Sequence, residues 1–454
     1  MSRPPASTLT VRQVRHISGE ISVPGDKSLS HRAVLFSALA DGTTVITGFL
    51  PGEDCICTMR ALQAMGCTIE EDTKTRLVVT GINGKLKPPM EPLDCGNSGT
   101  AMRLMAGVLA GQSFTSKLIG DASLSSRPMK RIVDPLQQMG ALIHGQGPKH
   151  TAPLEIEGHP LVGIDYTLPV ASAQLKSCLL LAGLFATGTT SVTEKTASRD
   201  HTERLLAHFH APPVIDVKPE SMEKTIRVRG GSRLHARDFA VPGDFSSAAF
   251  WIAAAAALPG ADLTITNLGL NGTRTGLLSV LLRMGAHINE NISDSSCEPF
   301  GTVRVYGRKL RGTKIAGAMI ANVIDELPII AAIAAIAEGD TEIRDAHELR
   351  VKETDRIAAM ATNLRAFGVQ VTEHDDGMTV HGGGADKLTG AKVGSFGDHR
   401  IAMSCAVLGL FAKGETTISE TGCIATSYPT FQDDLHKIAS FHEGGLASFL
   451  SGGR

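Results

Sequence analysis

At 454 residues the chain is too long for one core and suits two. It is 42% apolar, only 4% aromatic and carries 48 glycines, so its interior has to be built from Ala, Val, Leu and Ile in close contact. A formal charge of −2 excludes a global field for nucleic acid and confines anion binding to local clusters. Apolar runs such as residues 253 to 258 and 329 to 337 are far too short for a membrane span.

From the N-terminus onward the chain proceeds in six similar passages. Each carries a helix of small apolar residues, a glycine, a short strand containing Thr or Ser, a second helix and another strand. The marking glycines are Gly42, Gly111, Gly188, Gly260, Gly339 and Gly414, at intervals of 69, 77, 72, 79 and 75 residues. A period of that length is a whole supersecondary unit, not a solenoid turn. The second helices repeat as well, running into Met65-Gly66, Met139-Gly140, Met284-Gly285 and Phe367-Gly368 as C-caps. The third copy ends at Phe209 without glycine, and the sixth, around Leu435, has decayed. Val23-Pro24-Gly25-Asp26 returns as Val241-Pro242-Gly243-Asp244. The expectation is an α/β protein of two pseudo-equivalent domains with three units each.

Polar clusters fall at one place in each unit, the loop and first turn leading into the small-residue helix. In order they are Gly25-Asp26-Lys27-Ser28-Leu29-Ser30-His31-Arg32, Gly96-Asn97-Ser98-Gly99-Thr100-Ala101-Met102-Arg103, Ser172-Ala173-Gln174-Leu175-Lys176, Gly243-Asp244-Phe245-Ser246, Ile324-Asp325-Glu326-Leu327-Pro328 and Gly397-Asp398-His399-Arg400. A helix N-terminus offers unpaired N–H groups and partial positive charge, so Ser, Asn, Lys and Arg there make an anion site. N-caps prefer the same Ser, Asp and Asn residues. The second half supplies a control: its Pro-Gly-Asp turn persists while Lys27 gives way to Phe245 and Arg32 to Phe250. Folding explains the turn, whereas the first copy's cations call for a ligand.

Three further segments carry more charge than a cap requires. Arg127 precedes Pro128 and is therefore expected in extended backbone. Arg199-Asp200-His201-Thr202-Glu203 opens a helix. The run from Glu348 to Arg356 is the densest; if it is helical, Lys352 and Arg356 are i,i+4 and share a face. Eight scattered cysteines suggest free thiols in a reducing compartment, and no histidine joins Cys or carboxylate at metal-ligand intervals, so neither metal nor cofactor is expected. The first sixteen residues lack the apolar centre of a signal peptide, and a cytoplasmic location is expected.

Taken together, Pro24-Gly25-Asp26-Lys27-Ser28 with Ser30-His31-Arg32, the passage from Gly96 to Arg103, Arg127-Pro128-Met129, Ser172-Ala173-Gln174, the run from Leu349 to Arg356 and Asp398-His399-Arg400 resemble the 5-enolpyruvylshikimate-3-phosphate synthase family along nearly the whole chain. Gly25-Asp26-Lys27-Ser28, Ser172-Ala173-Gln174-Leu175-Lys176, Arg199-Asp200-His201-Thr202-Glu203 and Asn271-Gly272-Thr273-Arg274 are similar to the four motifs that mark its class II. The resemblance implies an inside-out α/β barrel fold, with three βαβαββ units per domain. It places one domain at residues 24–239 and the other at 1–23 with 240–454, with substrates bound between them and the two crossovers as hinges. It also implies transfer of the enolpyruvyl group of phosphoenolpyruvate to the 5-hydroxyl of shikimate 3-phosphate, with release of phosphate.

Carried over by resemblance, Lys27, Ser28, Arg32, Ser172, Ala173, Gln174, Arg199, Asp325 and Lys352 belong to the shikimate 3-phosphate site. Lys27, Gly99, Arg127, Gln174, Arg356 and Arg400 belong to the phosphoenolpyruvate site, where glyphosate competes in sensitive members. Asp325 matches the base for the hydroxyl proton and Glu353 the proton donor to the methylene carbon, with Lys27 assisting. His399 suits a cap or positioning role as well as a catalytic one. Ala173 and Thr426 depart from the class I pattern, which has serine and lysine there. Two other readings are a UDP-N-acetylglucosamine enolpyruvyl transferase, which typically has a Lys-Asn pair at Lys27-Ser28 and a reactive loop cysteine, and a non-catalytic phosphometabolite binder, which would lose Asp325 and Glu353. The expected partners are the two small-molecule substrates, with no nucleic acid or membrane, and the expected state is a monomer.

Overall fold

The computed structural model describes residues 7–441. They divide into two compact units, one of residues 25–241 and the other of the described residues up to Pro24 and from Pro242 onward. The chain thus crosses one residue later at the first passage, and two later at the second, than the sequence reading put it.

Residues 25–241 hold three copies of one sheet plan. In the first, Thr43–Thr47 pairs in parallel with Phe239–Ala240 and antiparallel with Arg76–Thr80, which carries Thr68–Thr73 on its other edge. The second orders its strands Leu93–Asp94, Thr115–Ile119, Thr151–Glu157, Leu142–Gln146, and the third Asp165–Thr167, Thr189–Glu194, Lys224–Arg229, Val214–Val217. In the other unit, Asp262–Gly269 pairs in parallel with Val14–Ile21 and antiparallel with Phe300–Tyr306, and Lys314–Ile315, Glu338–Ile343, Gly377–Gly383 and Gln370–His374 repeat the plan. The decayed sixth copy is completed from the far end of the sequence. Glu415–Ser419 takes Lys392–Gly394 in parallel and Leu9–Arg12 antiparallel.

Each copy contributes one inner helix: α1 (Lys27–Leu39), α2 (Gly99–Ala110), α3 (Ala173–Gly183), α4 (Phe245–Ala257), α5 (Leu327–Ala334) and α6 (His399–Gly409). All thirteen residues of α4 are buried, as a helix apolar on every side must be. Small residues let the helices approach closely. A Cβ on Gly107 of α2 would stand 2.3 Å from the Cys178 carbonyl oxygen of α3. The C-cap glycines Gly66, Gly140, Gly285 and Gly368 hold φ between 88° and 96°, a region costly for residues with a Cβ. In the third copy His210 takes that place at φ 66°. No helix among the described residues is long and apolar enough to cross a membrane.

Candidate active site

Five of the six inner helices open on a side-chain cap. Asp26 accepts from the N–H of Leu29, Ser98 from Ala101, Ser172 from Leu175, Asp244 from Ser246 and Asp398 from Arg400. Asp26, Ser98, Ser172, Asp244 and Asp398 are therefore caps, each contributing roughly 1 kcal/mol. The lysines and arginines beside them are not explained that way.

In the unit of residues 25–241, side chains tie the first turns of α1, α2 and α3 to one another. His31 on α1 contacts Ser98 Oγ at 3.3 Å, as well as Thr58 Oγ1 at 2.7 Å. Gln174 on α3 accepts from Arg103 Nη1 at 2.6 Å and donates to Thr100 at 2.9 Å, both on α2. Arg32 on α1 donates to Ser177 on α3 at 2.8 Å, to Thr202 at 2.9 Å and to the Ser28 carbonyl at 3.0 Å. Three helix N-termini are thereby held together, and their partial positive charges add to those of the cations.

Lys27, the first residue of α1, pairs with Asp54. Arg127 lies in extended backbone (φ −79°, ψ 139°) and donates to Asn97 Oδ1 at 2.5 Å and Ser123 Oγ at 3.2 Å. Gly99 starts α2, and a Cβ there would stand 2.6 Å from Arg103 Nη1 and 3.6 Å from Arg127 Nη1. Ser28, Ser172, Ala173 and Gln174 sit half-buried in the opening turns, and Arg199 half-buried just ahead of the helix His201–His208. Burial, followed by the charges of Lys27 and Arg32, holds His31 well below its usual pKa. The ring is neutral, so the positive charge of this set belongs to the lysine and the arginines.

In the other unit, Asp325 precedes α5 and gathers three cations: Lys352 Nζ at 3.4 Å, Arg356 Nη1 at 3.4 Å and Arg400 Nη2 at 3.8 Å. Arg400 also donates to the Asp325 carbonyl at 3.0 Å. Arg356 meets Glu353 at 2.6 Å and Asp398 at 2.7 Å. Burial opposes its charge, yet Asp398, Glu353 and Asp325 raise its pKa above the ordinary guanidinium value. Ser246 donates to Glu326, while Arg274 bonds Asp244 at 3.0 Å and Ser246 at 2.8 Å. Three carboxylates, Asp325, Glu353 and Asp398, thus stand on the one buried Arg356, and Asp325 carries Lys352 and Arg400 besides.

Three expectations are corrected. The run from Glu348 to Arg356 is not one helix. It is a 3-10 turn, His347–Val351, then extended backbone at Lys352 and a new helix, Arg356–Ala366. Asp355 starts that helix by accepting from the N–H groups of Ile357 and Ala358, and Lys352 and Arg356 meet at Asp325 instead of through an i,i+4 face. Lys176, counted with the anion clusters, is fully buried between Glu194 at 3.0 Å and Glu203 at 2.7 Å. Arg103, which the sequence analysis put in the second polar cluster but in neither substrate site, belongs with Gln174, and its place four residues after Gly99 puts it on the same helix face. Thr426 turns its hydroxyl onto the Cys423 carbonyl at 2.8 Å, so it supplies a turn contact where class I has a cation.

A family model described as EPSP synthase (3-phosphoshikimate 1-carboxyvinyltransferase) matches residues 11–435. Among similar proteins named 3-phosphoshikimate 1-carboxyvinyltransferase, that of Geobacter metallireducens is 51% identical over 433 residues, covering 95% of this chain and 99% of its own length. That of Akkermansia muciniphila is 49% identical over 432 residues, covering 93% and 98%. The solved structure of an EPSP synthase from Acinetobacter baumannii is 42% identical with a TM-score of 0.83, covering 96% of this chain and 98% of that one. An enolpyruvyl transferase from Streptomyces tendae, at 19% identity and a TM-score of 0.75, shares the fold alone.

Proposed function

The chain belongs to the EPSP synthase (3-phosphoshikimate 1-carboxyvinyltransferase) family, and from that premise we propose that its two polar clusters act on one substrate pair, phosphoenolpyruvate and shikimate 3-phosphate. The acceptor's 5-hydroxyl oxygen adds to C2 of phosphoenolpyruvate, its proton passes to Asp325, and Glu353 gives a proton to the methylene carbon. The adduct then loses phosphate and a methyl proton, leaving the enolpyruvyl ether.

The observation that carries this reading is the Asp325 carboxylate gathered by Lys352, Arg356 and Arg400, with Glu353 on the same Arg356. On this reading Arg356 and Arg400, already held in place, stabilise the charge that develops as phosphate departs. Lys27, Gly99, Arg127, Gln174, Arg356 and Arg400 hold phosphoenolpyruvate, the arginines by paired N–H groups suited to carboxylate and phosphate. Lys27, Ser28, Arg32, Ser172, Ala173, Gln174, Arg199, Asp325 and Lys352 hold shikimate 3-phosphate. A cytoplasmic monomer fits the cysteine spacing and the divided but single-chain set of residues.

The rival sugar-nucleotide reading requires a reactive cysteine, whose thiolate needs a lowered pKa. Here the cysteines nearest Arg127 in the sequence are Cys95 and Cys178, and burial pushes both thiols up, that of Cys178 to about 12. The deciding assay is phosphate release from phosphoenolpyruvate with shikimate 3-phosphate, compared with UDP-N-acetylglucosamine. Release with the phosphorylated acceptor is expected; release only with the sugar nucleotide, or with neither, rejects the reading.

A further inference from the structure

Two of the four class-marking motifs, Ser172-Ala173-Gln174-Leu175-Lys176 and Arg199-Asp200-His201-Thr202-Glu203, end in residues that touch no proposed substrate. Lys176 and Glu203 instead form a buried ion pair at 2.7 Å, their side chains 0% and 4% exposed. Glu194 completes the group, 3.0 Å from Lys176 Nζ. Burial pulls the Lys176 pKa down, but Glu203 and Glu194 outweigh it and raise it, while burial holds the Glu203 carboxyl above its usual value against the pull of Lys176.

The consequence lies in the backbone between these carboxylates. Glu194 accepts from both the N–H and the hydroxyl of Ser198, at 3.1 and 2.7 Å, and Lys176 donates to the Ser198 carbonyl at 3.5 Å. Arg199 is the next residue. Four positions beyond it Glu203 is clamped by the same lysine. Between them, Thr202 Oγ1 meets Ser177 of α3 at 2.7 Å and accepts from Arg32 of α1 at 2.9 Å. The segment 198–203 is therefore fastened on both sides of Arg199 to the helix that carries Ser172 and Gln174.

We propose that Lys176, with Glu194 and Glu203, is a positioning device that fixes Arg199 relative to Ser172 and Gln174 for recognition of the anionic acceptor. The pairing accounts for the two motifs occurring together, since neither half of the clamp works without the other. A wholly apolar substitute would fill the space equally well and is often neutral or stabilising in place of a buried ion pair. What it lacks is directionality, because Lys176 fixes the Ser198 carbonyl and the Glu203 carboxylate at once. The inference rests on the reading of Arg199 as an acceptor-binding residue.

The test uses the full chain carrying Lys176→Met, Glu194→Gln and Glu203→Gln together, so that no buried charge is left unpaired. The KM for shikimate 3-phosphate should rise about tenfold to a hundredfold, the range produced by a misplacement of about 1 Å. The KM for phosphoenolpyruvate, the kcat and the melting temperature should hold. Arg199→Ala should raise the same KM by itself, and the three substitutions should add little in that background. A folded triple variant with an unchanged acceptor KM, or one whose full effect survives in the Arg199→Ala background, overturns the proposal while leaving Arg199 as a ligand. An Arg199→Ala enzyme with unaltered acceptor KM overturns the reading of Arg199 and the clamp with it. Should the triple variant fail to fold, Lys176→Arg, which keeps the charge but moves its contact point, decides by the same KM comparison.

Discussion

Gly99→Ala perturbs the anion loop at its tightest point. The new Cβ would stand 2.6 Å from Arg103 Nη1, where ordinary contact begins at 3.4 Å, so the guanidinium must retreat by about 0.8 Å. Its bond to Gln174 Oε1 is 2.6 Å long, and a retreat of that size directed away from Gln174 stretches it to about 3.4 Å, the weak end of the hydrogen-bond range. A hydrogen bond to a charged group contributes about 1.5 to 3 kcal/mol, so weakening this one lowers the hold on an anion bound through Arg103 and Gln174 by at most roughly tenfold to a hundredfold. The methyl group therefore acts first on Arg103. Arg127 Nη1, at 3.6 Å, stays in normal contact.

The measurement is the KM for phosphoenolpyruvate and the inhibition constant for glyphosate in the parent, Gly99→Ala, Arg103→Met and the double variant. The parent should be inhibited by glyphosate. Gly99→Ala should raise the inhibition constant more than the KM, because the longer anion reaches further into the disturbed turn. The double variant should be no worse than Arg103→Met alone. If the penalty of Gly99→Ala persists undiminished beside Arg103→Met, the methyl meets the ligand directly and the argument through Arg103 is wrong. A parent enzyme indifferent to millimolar glyphosate refutes the inhibition.

Asp325→Asn should keep substrate KM values while lowering kcat about a hundredfold or more, since it preserves size and removes proton transfer; near-normal turnover excludes Asp325 as the base. Lys27→Met should raise the phosphoenolpyruvate KM and lower kcat together, because a cation beside developing charge acts in ground and transition states alike, and an unchanged KM counts against its placement. His31 is held neutral in the fold by burial and by Lys27 and Arg32, so the unfolded chain takes up its proton first as pH falls below about 6.5. Its contribution to stability is intact above that pH and declines below it by about 1.4 kcal/mol per pH unit. The melting temperatures of the parent and His31→Gln should converge on acidification through that range, and a constant gap refutes the assignment.

The features legible in the sequence are those that local backbone chemistry imposes. A C-cap needs a left-handed residue, and an inner helix needs a capping oxygen, so Gly66, Gly140, Gly285 and Gly368, like Asp26 and Asp244, declare their places by type alone. Partnerships across long separations leave no such mark. Leu9–Arg12 completes the sheet of Glu415–Ser419, and nothing local to either strand says so. Lys176 reads as one more cation near a helix start because its carboxylates arrive 18 residues later, at Glu194, and later still at Glu203. The break at Lys352 was readable in principle. Asp355, followed by a helical apolar pattern, is a start signal inside what the charges alone suggested was a continuous helix.

The duplicated turn separates what folding needs from what chemistry needs. Asp26 and Asp244 do the same work, each capping its helix through a main-chain N–H. One residue on, Lys27 is half-buried against Asp54, while Phe245 is 1% exposed within the core. Five residues further, Arg32 donates to Ser177, Thr202 and Ser28, whereas Phe250 packs edge-on to Phe431, ring centroids 6.3 Å apart. Arginine at the second position would bury a charge among aromatic rings, and phenylalanine at the first would take the Arg32 donor from Ser177 and Thr202, which would keep only their bond to each other. The second unit finds its cations elsewhere, on Lys352, Arg356 and Arg400, and adds Asp325 and Glu353, which have no carboxylate counterparts among the residues proposed to bind substrate in the first. A common scaffold of capped helix starts thus carries different side chains in its two copies, cations bonded across the helix starts in one and a cluster of carboxylates and arginines in the other.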